Sequence, residues 1–133
     1  MLLDMGVKIE KQENFPYLQE YKQNFPIDEN TIFVFEDKIY TNNDLPYDII
    51  IHEIEHLRQQ KKIGAKKWID KYIEDPRFRL EQEIGAYKAQ LKEVKKIGDR
   101  EEYAHILIEC ATNISSKLYN NIITYQESLK LLR

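Results

Sequence analysis

Cysteine is nearly absent. A single residue, Cys110, leaves no partner for an internal disulfide and suits a reducing compartment. There is also no basic excess: 20 Lys and Arg stand against 23 Asp and Glu, a formal net charge of −3. That balance argues against a nucleic-acid-binding surface. No apolar run approaches membrane-spanning length, so no membrane insertion is expected. Met1-Leu2-Leu3-Asp4 places an acid where a signal peptide would carry basic residues before an apolar stretch, so no secretory leader is expected. Internal repeats, low-complexity tracts and linkers are missing as well. What remains is a chain of 133 residues, 42% hydrophobic and 32% charged, which predicts one globular domain over 1–133 in the cytoplasm of a cell or of an infected host.

Val7-Lys8-Ile9-Glu10-Lys11 alternates apolar and polar residues and predicts a short strand. Asn14 is placed to cap a short helix entered through Pro16 and ending near Asn24 and Pro26, with Tyr17, Leu18, Tyr21 and Phe25 as its packing side. Thr31 to Phe35 is β-branched and aromatic, Glu36-Asp37 offers a turn, and Lys38 to Thr41 returns, which predicts a hairpin. A lone hairpin is marginal, so the first strand is expected to join it. Asn42-Asn43-Asp44 supplies a cap for a helix from Pro46 to Ile63, closed by Gly64. Lys66 to Ile73 predicts a short helix with Trp68 as a packing anchor above Tyr72. Asp75-Pro76 opens a long helix to Ile97, closed by Gly98, and Lys92, Glu93, Lys95 and Lys96 form its solvated face. Asp99 with Glu102 reads as a capping box for a helix over 100–113 with Ile106, Leu107 and Cys110 inward. Ser115 to Asn121 reads as a loop before a last helix, Tyr125 to Leu132. The expected fold is α+β and mostly helical: a small N-terminal antiparallel sheet of about three strands, packed on the helix from Pro46 to Ile63 and a second long helix.

Histidine occurs three times, and two of the three fall in His52-Glu53-Ile54-Glu55-His56. On a helix, residues four apart share a face, so both imidazoles can reach one metal ion. Glu53 lies about 100° further round, able to reach a water on that ion but poorly placed to ligate it. Two ligands and one general base are the working parts of a zinc hydrolase helix. Ile50, Ile54 and Leu57 repeat at i, i+4 and i+7 and predict the stripe that docks the helix, with the histidines at its border and Gln59 and Gln60 beside them.

A catalytic zinc ion needs a third protein ligand and an open fourth position. No histidine lies between His56 and His105, which rules out a third histidine soon after the helix and the astacin-like extended motif. Glu83, Glu81 on a different helix face, and His105 on the following helix are the residues available. The combination of His52-Glu53-x-x-His56 with Glu83-x-x-Ala86-Tyr87 resembles the gluzincin metallopeptidases, in particular small single-domain members from phages and bacteria. The resemblance covers residues 45–90. It implies Zn2+ as cofactor, Glu83 as third ligand on a second helix, and Tyr87 where the family often has an aspartate, there to hydrogen-bond a ligand or face the substrate. Gly85 and Ala86 are small enough to let the two helices approach. Glu55 between the histidines and Arg58 after them depart from the family, which usually keeps uncharged and apolar residues there; they can pair at i, i+3.

The activity so implied is hydrolysis of a peptide or protein. Zinc would polarise the scissile carbonyl and lower the pKa of its water towards about 7. Glu53 would take that proton and pass it to the leaving amine. Either strand of the hairpin is a candidate to hold an extended peptide, and Tyr87, Tyr119 or His105 to steady the oxyanion. The alternatives are a peptidase-like module that holds zinc without turnover, and an assembly protein with Tyr103, Tyr119 and Tyr125 at an interface. The sequence leaves the oligomeric state open.

Overall fold

A computed structural model of the chain describes residues 6–116 and 119–133. The first four residues, used above against a leader, lie outside them, as do positions 117 and 118 of the expected loop. Among the described residues the order is β1 (Lys8–Glu10), a 3-10 turn (Gln12–Asn14), α1 (Leu18–Asn24), β2 (Phe33–Phe35), β3 (Lys38–Tyr40), α2 (Tyr47–Ile63), α3 (Ala65–Glu74), α4 (Pro76–Ile97), α5 (Arg100–Ile114) and α6 (Tyr125–Leu132). The fold is α+β and mostly helical, and none of these helices is long and apolar enough to cross a membrane.

β2 and β3 form the hairpin, paired Phe33 to Tyr40 and Phe35 to Lys38 around Glu36-Asp37, with Glu36 at a φ of 59°. β1 joins β3 in parallel, Ile9 opposite Ile39, giving the order β1-β3-β2. The sheet is therefore mixed, where an antiparallel one was expected. The reason is the connection: between β1 and β2 the chain passes through the 3-10 turn and α1, a crossover long enough for parallel pairing. The same segment shows why Asn14 is no helix cap. It sits in the 3-10 turn, where its amide donates to Glu10 Oε1 at 3.0 Å, and α1 starts only at Leu18. Asn42 and Asn43 likewise do not cap α2. Pro46 occupies the cap position, and the two asparagine amides donate instead to Glu29 O and Asn30 Oδ1, each at 3.1 Å. Other caps fall where expected: Asp75 accepts from the backbone of Arg77 and Phe78, and Asp99 from Glu101 and Glu102, so the box expected of Asp99 with Glu102 forms on its Asp99 side. The complete reciprocal box is at α6, between Thr124 and Glu127.

Three apolar clusters hold the elements together. Phe15, Tyr21, Phe33, Tyr40, Trp68 and Ile69 join the sheet to α1 and α3; Val7, Val34, Ile39 and Leu57 seat α2 on the sheet; and Leu80, Leu91, Leu107, Cys110 and Ile114 join α4 to α5. The face that α2 buries differs from the expected one. Leu57 is buried, but Ile50 and Ile54 are only half-buried, and the inward residues are His52, Glu53, His56, Leu57 and Gln60. A polar stripe can face inward because its atoms are partnered: among the described residues, no buried side-chain nitrogen or oxygen lacks a hydrogen bond.

Gln60, 1% exposed, shows how α2 is held against the sheet. Its amide donates to Val34 O and accepts from Glu36 N, both at 2.9 Å, so it satisfies the outer edge of β2 as a paired strand would. Gln60→Leu would keep the volume and leave both backbone groups without that partner. Stability is expected to fall by about 2–6 kcal/mol in urea unfolding, at roughly 1–3 kcal/mol for each of the two unsatisfied groups. A change below the error of such an experiment would mean that Gln60 does not set the seat of α2.

Candidate metal centre

α2 and α4 make the most extensive helix contact of the fold and run antiparallel, as the pairings Asp48 with Gln90, His56 with Glu83 and Gln59 with Gln82 show. His52 and His56, one turn apart on α2, turn their rings into this contact, and Glu83 enters from α4. Glu83 Oε1 lies 3.0 Å from His52 Nε2 and 3.1 Å from His56 Nε2. All three side chains are buried. The close approach is allowed by Ala86, fully buried, and by Gly85, where an added Cβ would stand 3.1 Å from Gln59 Nε2.

The orientation of both rings follows from their other nitrogens. His52 Nδ1 is 3.0 Å from Gln90 Oε1, and His56 Nδ1 is 2.9 Å from Gln59 Oε1. Each amide is held that way round by an acceptor on its NH2 side: Asp48 Oδ2 at 2.8 Å for Gln90, and the carbonyl of Gln82 at 3.0 Å for Gln59. Both Nδ1 atoms must therefore donate. A neutral imidazole has one N–H, so both Nε2 lone pairs face the oxygen of Glu83. Three acceptors converge, and the arrangement requires either protons or a cation between them.

The ionisation tendencies state the same demand. Burial opposes a charge on His56, yet the Glu83 carboxylate outweighs it and pushes His56 up to about 9. Burial would raise Glu83, and the imidazoles of His56 and His52 instead hold it well below the usual carboxylate range. Its second oxygen accepts from Tyr72 OH at 2.5 Å, which leaves Oε1 alone to face the histidines.

Glu53 belongs to the same group. Its carboxylate and the two imidazoles have ligand atoms within 4.8 Å of one another, a cluster able to hold a metal ion. Two carboxylates thus compete for the third place. Glu83 stands 3.0 and 3.1 Å from the imidazoles and approaches from the opposing helix, whereas Glu53 follows His52 directly in α2 and lines both adjoining cavities. Burial raises the Glu53 carboxyl, against the pull of His52 and His56 and with a further push from Glu83. A cavity of about 90 Å³ at the centre is bounded by Tyr21, Ile32, Phe33, Trp68 and Tyr72. A second, of about 170 Å³, lies beyond His52 and Glu53 between Ile32, Ile49, Tyr87, Ile106 and Asn113.

Tyr87 sets its ring against His52, with centroids 4.5 Å apart, and its hydroxyl accepts from Asn113 Nδ2 at 3.2 Å. The hydroxyl on Glu83 is that of Tyr72, which sequence reasoning assigned to packing below Trp68. Glu81 is exposed, and His105 is an exposed residue paired with Glu109 Oε1 at 3.1 Å. Tyr119 is buried in the helical core, with Arg79 over its ring at 6.0 Å. Glu55 and Arg58 pair at 2.8 Å, Arg58 on the exposed side of α2. Asp48, Tyr72 and Gln90 are the contributors missed from sequence, and Gln59, placed beside the histidines there, is given its role by the structure. A helix-face projection places Gln59 near His56, but only the packing of α2 on α4 and α3 brings in the others. No family model, curated protein or solved structure matches the chain.

A pH dependence follows. A histidine raised from 6.5 to about 9 contributes stability that is complete below 6.5 and lost as pH rises through 9. The raised Glu53 acts in the same direction, while the depressed Glu83 contributes above its ordinary 4.5 and is lost only in acid. Metal-free protein is expected to be most stable between 4.5 and 6.5 and to lose thermal midpoint from 6.5 to 9. Stabilisation by an added divalent ion should grow over that interval, because ligands must shed protons to bind it. A midpoint in chelator that stays flat across the interval would overturn this account.

Proposed function

We propose that this chain is a gluzincin-like zinc metallopeptidase domain, with His52, His56 and Glu83 holding the ion and Glu53 acting as general base. The observation that carries the reading is the convergence of two imidazole lone pairs and one carboxylate oxygen, from two helices, at 3.0 and 3.1 Å. A tetrahedral ion with bonds of about 2.0–2.1 Å holds its ligand atoms about 3.3 Å apart, so this spacing fits with a slight expansion. Two imidazoles and a carboxylate suit zinc among the common divalent ions. When bound, zinc supplies Lewis acidity to a carbonyl and acidifies water.

The protein's own groups account for the rest. Tyr72 keeps Glu83 to one oxygen, and Gln59 and Gln90 aim the rings. Glu53, raised by burial, is suited to take a proton at its carboxylate and return it to a leaving amine. β2 lies at the sheet edge and Ile32 and Phe33 border the centre, but Gln60 occupies that edge from Val34 to Glu36, so an extended peptide would pair with the chain just before β2, at Ile32. Burial, with Glu83 adding to it, raises the Tyr87 hydroxyl, so it stays protonated, and since it accepts from Asn113 its own proton is available to a developing oxyanion. The pairing of Glu55 with Arg58 keeps those departures from the family pattern away from the ion.

One observation favours a second reading, a module that holds zinc without turnover: the cavity at the centre is only about 90 Å³. Metal analysis and a peptide-library digest separate the two. Wild type is expected to carry one zinc per chain and to cleave peptides. Glu83→Ala should lose the metal, and Glu53→Gln should keep it while cleavage falls by about 10²–10⁴-fold, the usual range for a general base. Unchanged zinc content in Glu83→Ala would move the third ligand to Glu53. Zinc without cleavage in wild type would favour the silent module.

A further inference from the structure

The network behind the two histidines is asymmetric. The glutamine that orients His56 is anchored by a backbone carbonyl, that of Gln82, which no substitution removes. The glutamine that orients His52 is anchored by a side chain, the carboxylate of Asp48. Asp48 lies one turn before His52 on α2, and Gln90 lies two turns after Glu83 on α4, so the helix pair that carries the ligands also carries this relay. Gln90 is buried, and Asp48 does not reach the cluster itself.

We propose that Asp48 is a positioning residue for the metal centre, acting through Gln90 to hold His52 in the Nδ1–H form with Nε2 aimed at the ion. The inference rests on the metal-centre reading above. Its physical basis is that an ionised carboxylate only accepts hydrogen bonds. Facing Asp48, Gln90 must present its NH2, which leaves Oε1 for His52 and forces His52 Nδ1 to donate. An asparagine at 48 can present either an acceptor or a donor. Gln90 is then free to turn over, and a reversed Gln90 offers its NH2 to His52 Nδ1, which favours the tautomer with the proton on Nε2 and no lone pair for the ion. In sequence, Asp48 looks like an ordinary acid in the first turn of a helix, where it would act only on the helix end.

The test is a double-mutant cycle read by zinc affinity, with wild type, Asp48→Asn, Gln90→Met and the double variant competed against a chromophoric chelator at fixed pH. Asp48→Asn is expected to weaken zinc about 10-fold, at the low end of the 10–100-fold typical for groups that orient a ligand. Added to Gln90→Met, it should weaken binding no further. In the zinc-loaded protein, NMR should show two imidazole N–H protons protected from exchange, with that of His52 lost or exchanging faster in Asp48→Asn and that of His56 unchanged. Should Asp48→Asn not fold, Asp48→Ser, whose hydroxyl also both donates and accepts, carries the same expectation. Wild-type affinity in Asp48→Asn, or an equal loss with and without Gln90, would overturn the inference and leave the metal centre standing. Wild type that binds no zinc would overturn both.

Discussion

One carboxylate oxygen shared by two imidazoles is the contact on which the rest of this structure depends. Glu83 Oε1 can lie within hydrogen-bonding distance of both His52 and His56 only if α4 crosses α2 closely at one register. The close crossing needs Gly85 and Ala86, and the register is held by pairs on either side, Asp48 with Gln90 and Gln59 with the carbonyl of Gln82. Burying a polar cluster of this kind is costly unless each member finds a partner, and here the partners come from α3 as well as α4. Tyr72 from α3 takes the free oxygen of Glu83, and Trp68 ties α3 to Gln82 at 3.0 Å.

The same constraint explains the seat of α2 on the sheet. A helix with a polar inward face gains little from burial alone, so Leu57 supplies the apolar contact and Gln60 the directional one. β2 is thereby held beside the centre, which is why an edge strand, two cavities and the buried Glu53 meet at Ile32. In this arrangement the small sheet both borders the site and, through Phe33, Val34, Ile39 and Tyr40, builds two of the apolar clusters.

Much of the fold was legible one residue at a time. Asp75 and Asp99 cap their helices because a short carboxylate reaches the orphan amides of the first turn wherever the chain starts to coil. The hairpin around Glu36-Asp37 is equally local. Most of the misreadings involve contacts from further along the chain, and Asn14, held by Glu10 four residues before it, is the exception. Asn14, Asn42 and Asn43 have the chemistry of caps, yet their amides found partners elsewhere. β1 was expected to complete an antiparallel sheet, and the crossover through α1 made it parallel.

For the site, the sequence by itself determined the pair of imidazoles and offered Glu83, Glu81 and His105 to meet them, and the packing of α4 on α2 brought Glu83. His52 and His56 at i and i+4, Glu53 between them, and Glu83 with small neighbours on a later helix are properties of spacing and composition, and helical geometry alone puts the imidazoles on one face. Which face turns inward, which hydroxyl meets Glu83, and which way round two glutamines point were decided by tertiary structure. A long amide or phenol side chain can reach several partners, and which of its groups meets which is settled by the element that packs against it. Tyr72 and Tyr87 are both one helical turn from another site or anchor residue in sequence, and only the docking of α3 and α5 on α4 gave one to Glu83 and the other to Asn113.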